Sequence, residues 1–171
     1  METKPTSPAI KGIMIALVLI VFSLVIQFMD LTQNKALSSI GLLLFVAGII
    51  WSCIYYAKQQ DANVTFGNVF SDGFKTSAGV AALMVVFTFI SFKLLFPESI
   101  DKILEQSRQD MVKKNMTDDQ IDMAISMTKK FFMPFAIGGA ILLYLILGAI
   151  ASLIGAGIAK KNPRDPFTQQ G

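Results

Sequence analysis

The side chains able to do chemistry in this sequence are few and unevenly placed. Seven acids, Glu98, Asp101, Glu105, Asp110, Asp118, Asp119 and Asp122, share the stretch 97–130 with six bases, Lys102, Arg108, Lys113, Lys114, Lys129 and Lys130. Paired carboxylates can divide general acid and base work, and lysine or tyrosine beside them could act on a lipid substrate. Here the acids look like solvated helix faces rather than a catalytic pair. Elsewhere the polar candidates inside apolar runs are Gln27, Lys93 and Tyr144. There is no His, and Cys53 is the single cysteine. That removes His-based metal sites, Ser-His and Cys-His pairs, CxxC redox pairs and an intrachain disulfide. No metal or cofactor is expected, and the chain reads as a non-enzyme.

The elements that must position these residues follow from composition. Of 171 residues, 53% are hydrophobic and only 16% are charged, which is too apolar for an ordinary soluble domain. The net charge of +3 is spread over the polar segments without a dense basic stripe, so it reads as membrane flanking and not as a nucleic-acid surface. A hydrocarbon core about 30 Å thick needs about 20 apolar helical residues. Four runs qualify, at about 12–29, 36–57, 76–96 and 135–157. The fold class is therefore all-α, a single polytopic membrane domain over 1–171 with four transmembrane helices.

Punctuation supports these spans. Lys11 and Asp30 bound the first, whose apolar stretch is longer than a signal-peptide core and lacks a small-x-small cleavage site. The polar turn 30–34 with Lys35 returns the chain as a helical hairpin. Span two closes on Trp51, Tyr55 and Tyr56 before Lys58, amphipathic rings followed by a cation, as a headgroup region favours. Phe66, Phe70 and Phe74 recur every fourth residue after a candidate N-cap at Thr65. This stretch is expected in the interface, with Asn68, Ser71 and Asp72 facing away and Gly73 as a bend. Lys93, one turn before Pro97, can snorkel. Pro134 marks a possible kink before span four, and the tail 160–171, with two Pro and no periodicity, is expected to be flexible.

Between spans three and four, about 98–130, apolar residues recur at helical spacing: Ile100, Ile103, Leu104 and Met111, then Ile121, Ala124, Ile125 and Thr128. An amphipathic helical insert of two helices is expected, the second opened by the capping box Thr117-Asp118-Asp119-Gln120. Met111, Met116, Met123 and Met127 make this insert rich in adaptable thioethers, a candidate partner-binding surface whose plainer use is packing of the two helices.

Small residues mark where helices can approach. Ser38, Gly41, Gly48 and Ser52 share a stripe in span two, and Gly148, Ser152 and Gly155 one in span four. Bundle packing is their ordinary role, and a pore or lipid groove the rarer one. The central parts of the spans hold no Asp, Glu, His or Arg, so no buried ion or proton relay is expected. With both termini inside, seven bases lie on each side (Lys4, Lys11, Lys58, Lys75, Lys160, Lys161 and Arg164 against Lys35 and the six of the insert). The short segments nearest the span ends tip the balance to N-in and C-in.

Three stretches carry a resemblance: Phe66-x-x-x-Phe70-x-x-Gly73-Phe74-Lys75, then Leu95-Phe96-Pro97, then Leu153-Ile154-x-x-x-Ile158-x-Lys160-Lys161. In these the sequence resembles the bacterial domain of unknown function 4199 family over residues 8 to 161. The resemblance implies a four-span inner-membrane protein with no established activity, and so no catalytic residues to carry over. Two functions remain: a non-enzymatic accessory or scaffolding subunit docking a membrane protein through the insert, or a small homo-oligomeric transporter or channel. The lipid bilayer is the expected partner of both.

Overall fold

The computed structural model describes residues 5–31 and 34–162. Thr32 and Gln33 of the first turn, Lys4, and the tail from Pro163, including Arg164, lie outside the described residues. Five α-helices follow in order: α1 Pro8–Phe28, α2 Lys35–Gln59, α3 Phe66–Ile90, α4 Glu98–Lys113 and α5 Asp118–Ile158, with a π-helical turn Ser91–Leu95 after α3. No strand occurs among the described residues. Four of these helices are long and apolar enough to cross a membrane, and α4 with the start of α5 forms the amphipathic insert.

Local chemistry sets the helix ends. Ser7 caps α1, its hydroxyl accepting the Ile10 N–H at 3.4 Å, with Pro8 in the first turn. Asn34 caps α2 through the Ala36 N–H at 3.0 Å, and Thr65 accepts the Asn68 N–H at 3.3 Å at the start of α3. The expected capping box forms in part, the Thr117 N–H donating to Gln120 Oε1 at 3.2 Å. Three C-termini share one solution. Asp30, Asp61 and Asn115 adopt φ of 54°, 50° and 56°. Paired bonds return to the preceding helix, for example Asn115 N–H to Val112 O at 2.9 Å and Met116 N–H to Met111 O at 3.3 Å. This is the Schellman arrangement, here built without glycine.

The chain divides into two compact units. The first comprises Met1–Met84 with Leu142–Gly171, and the second Val85–Ile141, so α3 and α5 contribute to both. In the first unit α1, α2, the N-terminal part of α3 and the C-terminal part of α5 bury small and polar side chains, Ala16, Ser52, Cys53, Thr76, Ser77, Ala151 and Ser152, together with larger apolar ones, Ile15, Leu19, Phe45, Ile49 and Val80. Large aliphatics face outward, among them Leu17, Val18, Val21, Leu43, Ile146 and Leu153. Large aliphatics on the outside and small residues at the helix contacts suit a bundle whose solvent is lipid, where helices gain from close approach.

In the second unit α4 and α5 form a helical hairpin around buried Leu104 and Ile121. Arg108 pairs with Asp122 at 2.8 Å and Lys129 approaches Asp101 at 4.0 Å, all exposed. Phe92 meets Phe132 edge-on at 5.2 Å between ring centres. The π turn ends with the Phe96 N–H bonded to Ser91 O at 2.8 Å, and Pro97, which has no N–H to continue the ladder, stops it.

Three sequence expectations change. Gly73 is not a bend: α3 is continuous from Phe66, and Gly73 is buried against Cys53 and Ser152, where an added Cβ would collide. Asp72 does not face away but is buried, because α3 turns its Val69, Asp72, Thr76 and Val80 stripe into the bundle. Lys11 is not a flank outside the span but the fourth residue of α1, with no exposed surface. Pro134 lies within the unbroken run of α5.

Candidate functional site

The two buried charges meet. Lys11 Nζ of α1 forms an ion pair with Asp72 Oδ2 of α3, the side chains 0% and 5% exposed. Placement follows from helix geometry: Gly12 beside Lys11 lets α1 approach α3 closely, its Cα standing where an added Cβ would lie 3.1 Å from the Thr76 carbonyl oxygen. The surroundings are polar and well paired. Thr76 Oγ1 donates to the Asp72 carbonyl at 2.9 Å, and Ser52 Oγ from α2 lies 3.2 Å from Thr76 Oγ1. The Tyr56 ring lies under the ammonium, 5.4 Å from Nζ to its centre.

Just outside this cluster, two hydrogen bonds clasp the approach to α1 onto the end of α2. The Thr6 N–H donates to Gln59 Oε1 and Gln59 Nε2 donates to Thr6 Oγ1, both at 3.0 Å. The α5 end closes nearby in sequence and space: the Asn162 N–H donates to Ala62 O at 2.6 Å, and Lys161 Nζ donates to the carbonyls of Ala156, Gly157 and Ala159. Charges in a lipid-embedded interior are costly unless paired and hydrogen-bonded, and this pair satisfies both conditions.

Chemically the cluster holds one acid, one amine, hydroxyls and a thiol. Cys53 Sγ rests 3.8 Å from Val69 O and 4.0 Å from Ser152 O, in a tight apolar setting that includes Ala57, Val64 and Ala156. No group of three or more metal-ligating side chains occurs among the described residues. Ser152 Oγ is buried without a hydrogen-bond partner.

Residues 11–161 match the family described as Protein of unknown function (DUF4199). The chain belongs to that family. No curated protein and no solved structure matches it.

In this DUF4199 chain the stripes of small residues are distributed as follows. Gly48 abuts Ile15, Gly41 abuts Phe22, Gly148 stands against Ser77 and Gly155 against Cys53, each where a Cβ would meet the neighbour. Ser52 and Ser152 are buried, whereas Ser38 is exposed. Of the aromatic candidates, Trp51 is exposed and stacks on Tyr55 at 5.1 Å, and Tyr56 turns inward to Lys11. Phe70 stacks on Phe74 at 6.0 Å, and Phe66 lies beneath Lys161 at 5.9 Å. Lys93 is exposed, its Nζ 5.5 Å from the centre of the Phe89 ring. Met111 and Met116 are half-buried, while Met123 and Met127 are 69% and 59% exposed.

The DUF4199 sequence did carry a signal for the missed pair. Counting back from Val80 in steps of three and four gives Thr76, Gly73, Asp72 and Val69, a stripe that places a carboxylate on the packing face of α3. The expected spans, 12–29 and 76–96, leave both residues just outside, whereas α1 and α3 start earlier and bury Lys11 and Asp72 within them.

Proposed function

We propose that this protein is a non-enzymatic accessory subunit of the bacterial inner membrane, oriented N-in and C-in, that docks a membrane protein through its charged insert. The observation that carries the reading is the Met123 and Met127 pair, one turn apart on α5 and both exposed, above a hairpin whose own packing already uses Leu104 and Ile121. Exposed thioethers repack around varied partners at little cost. Among the described residues no hydrogen bond joins a hydroxyl or thiol nucleophile to a histidine or carboxylate base, which argues in the same direction. The test is crosslinking in cells followed by gentle extraction and quantitative mass spectrometry, comparing the native chain with Met123→Ser/Met127→Ser and with a deletion of residues 98–128. A stoichiometric partner retained by the native chain and lost from both variants supports the role. Partners unchanged by either variant sink it.

A second reading, a small oligomeric transporter, draws on one specific observation: a charged pair inside the spans, the usual mark of an ion or substrate path. Four spans rarely enclose a path alone, so native mass spectrometry showing only monomers would count against it.

A further inference from the structure

Two lysines where the spans meet the charged insert play no part in the docking role, and their own chemistry does not depend on it. We propose that Lys93 and Lys130 each hold the phosphate of an anionic phospholipid, both at one level of the membrane surface and each beside a phenylalanine ring.

The level is set by one contact inside the second unit. Phe92 of the π turn meets Phe132 of α5 edge-on, 5.2 Å between ring centres. The third and fourth apolar helices cross a membrane in opposite directions, so one residue on from Phe92 and two residues back from Phe132 lead the same way, out of the span. Lys93 and Lys130 therefore stand about 1.5 and about 3 Å beyond the ring contact along their helices. The apolar runs also stop together at this height, with Leu94, Leu95 and Phe96 on one strand of the crossing and Phe131 on the other. Leu94 and Phe135, each 74% exposed, have no protein over them and face acyl chains.

Charge at this level is unbalanced. The chain has no acid between Asp72 and Glu98, and none from Met123 to the end of α5. Carboxylates of the insert are already taken by other bases, Asp122 by Arg108, Asp110 by Lys113 and Asp101 by Lys129. Among the described residues neither Lys93 nor Lys130 has a carboxylate partner. Each ammonium instead stands by a ring, Lys93 Nζ 5.5 Å from the centre of Phe89 and Lys130 Nζ 5.6 Å from that of Phe131. A ring face serves one side of an ammonium and leaves N–H donors on the other side unused. Where hydrocarbon gives way to water, the anion that meets those donors is a lipid phosphate, and the same molecule's acyl chains cover Leu94 and Phe135. A free anion would gain the charge contact alone.

Bromine on an acyl chain quenches a tryptophan in contact with it, so a single reporter reads the lipid at its side. Trp51 is the only native tryptophan. The experiment uses the full-length chain with Trp51→Phe and one reporter at a time, Leu94→Trp next to Lys93 or Phe135→Trp one turn from Phe131. Each is placed in vesicles of phosphatidylcholine and phosphatidylglycerol with bromine on one lipid or the other, and circular dichroism checks that helicity is unchanged. The expected result is a local preference for phosphatidylglycerol of about fivefold at each reporter, the worth of one lysine near an anionic surface. Lys93→Gln removes it at Leu94→Trp only, Lys130→Gln at Phe135→Trp only, and Lys93→Arg and Lys130→Arg keep it. Lys114→Gln, which takes the same charge from the far end of α4, leaves both preferences intact. Equal quenching by the two lipids at both reporters overturns the proposal, as does a preference that survives both glutamine variants or falls equally with Lys114→Gln. Loss of the preference on adding millimolar inorganic phosphate also overturns it and assigns the lysines to free anions.

Discussion

Single atoms decide the packing of the bundle. Adding one methyl at Gly148 or Gly155 drives a Cβ into Ser77 or Cys53, whereas Gly157 has open space around it. Gly148→Ala and Gly155→Ala are expected to destabilise by about 1–3 kcal/mol each, and Gly157→Ala to be neutral or slightly stabilising, read as thermal midpoints in detergent micelles. The buried pair makes a sharper forecast. Lys11→Met alone leaves an unpaired buried carboxylate and should cost about 3–5 kcal/mol, while Lys11→Met combined with Asp72→Leu should recover most of that loss. A double variant as unstable as the single would mean that the hydroxyls around the pair, and not its charges, organise the site. This site was only half legible beforehand. The stripes that hold Ser52, Gly148 and Ser152 follow from spacing, but a lysine beside the first apolar run looks the same whether it caps the span or enters it. Its partner lies 61 residues away, and no local pattern links the two.

At the scale of elements, the apolar runs were legible because lipid demands length, and the start of α5 because a capping box is a local contract between Thr117 and Gln120. The continuity of α3 was not, since a glycine in a helix can mark either a bend or a close contact, and only the neighbouring Cys53 and Ser152 decide between them. The left-handed C-caps were equally hidden, because Asp and Asn serve many kinds of turn. They supply a test of their own. Ala62 and Asn115 hold φ of 61° and 56°, where a Cβ is crowded. Ala62→Gly is expected to stabilise by about 1 kcal/mol and Asn115→Gly by somewhat less. An unchanged or lower midpoint for Ala62→Gly would show that this turn relaxes out of the left-handed region. By contrast Arg108→Ala should shift stability by less than about 1 kcal/mol, since its ion pair with Asp122 is solvent-exposed.

For the whole molecule, four helices long and apolar enough to cross a membrane put the start of α1 and the end of α5 on one side and the α1–α2 connection on the other. Cys53, the only native cysteine, is buried, so introduced thiols can be read against a quiet background. With the proposed orientation, Asn34→Cys reacts with a membrane-impermeant maleimide on spheroplasts and Thr65→Cys reacts only after lysis. The reverse pattern inverts the topology, and equal labelling of both from outside contradicts the span count. The ion pair also bears on how such a chain is made. Helices leave the ribosome in order, so α1 reaches the bilayer well before α3 exists, and for that interval Lys11 has no carboxylate to meet. An ammonium at that point of α1 is costly to bury unpaired, so its full burial has to follow the arrival of Asp72. Synthesis that stops before α3 therefore leaves α1 with an unneutralised Lys11, so the seating of the first helix depends on a segment made later.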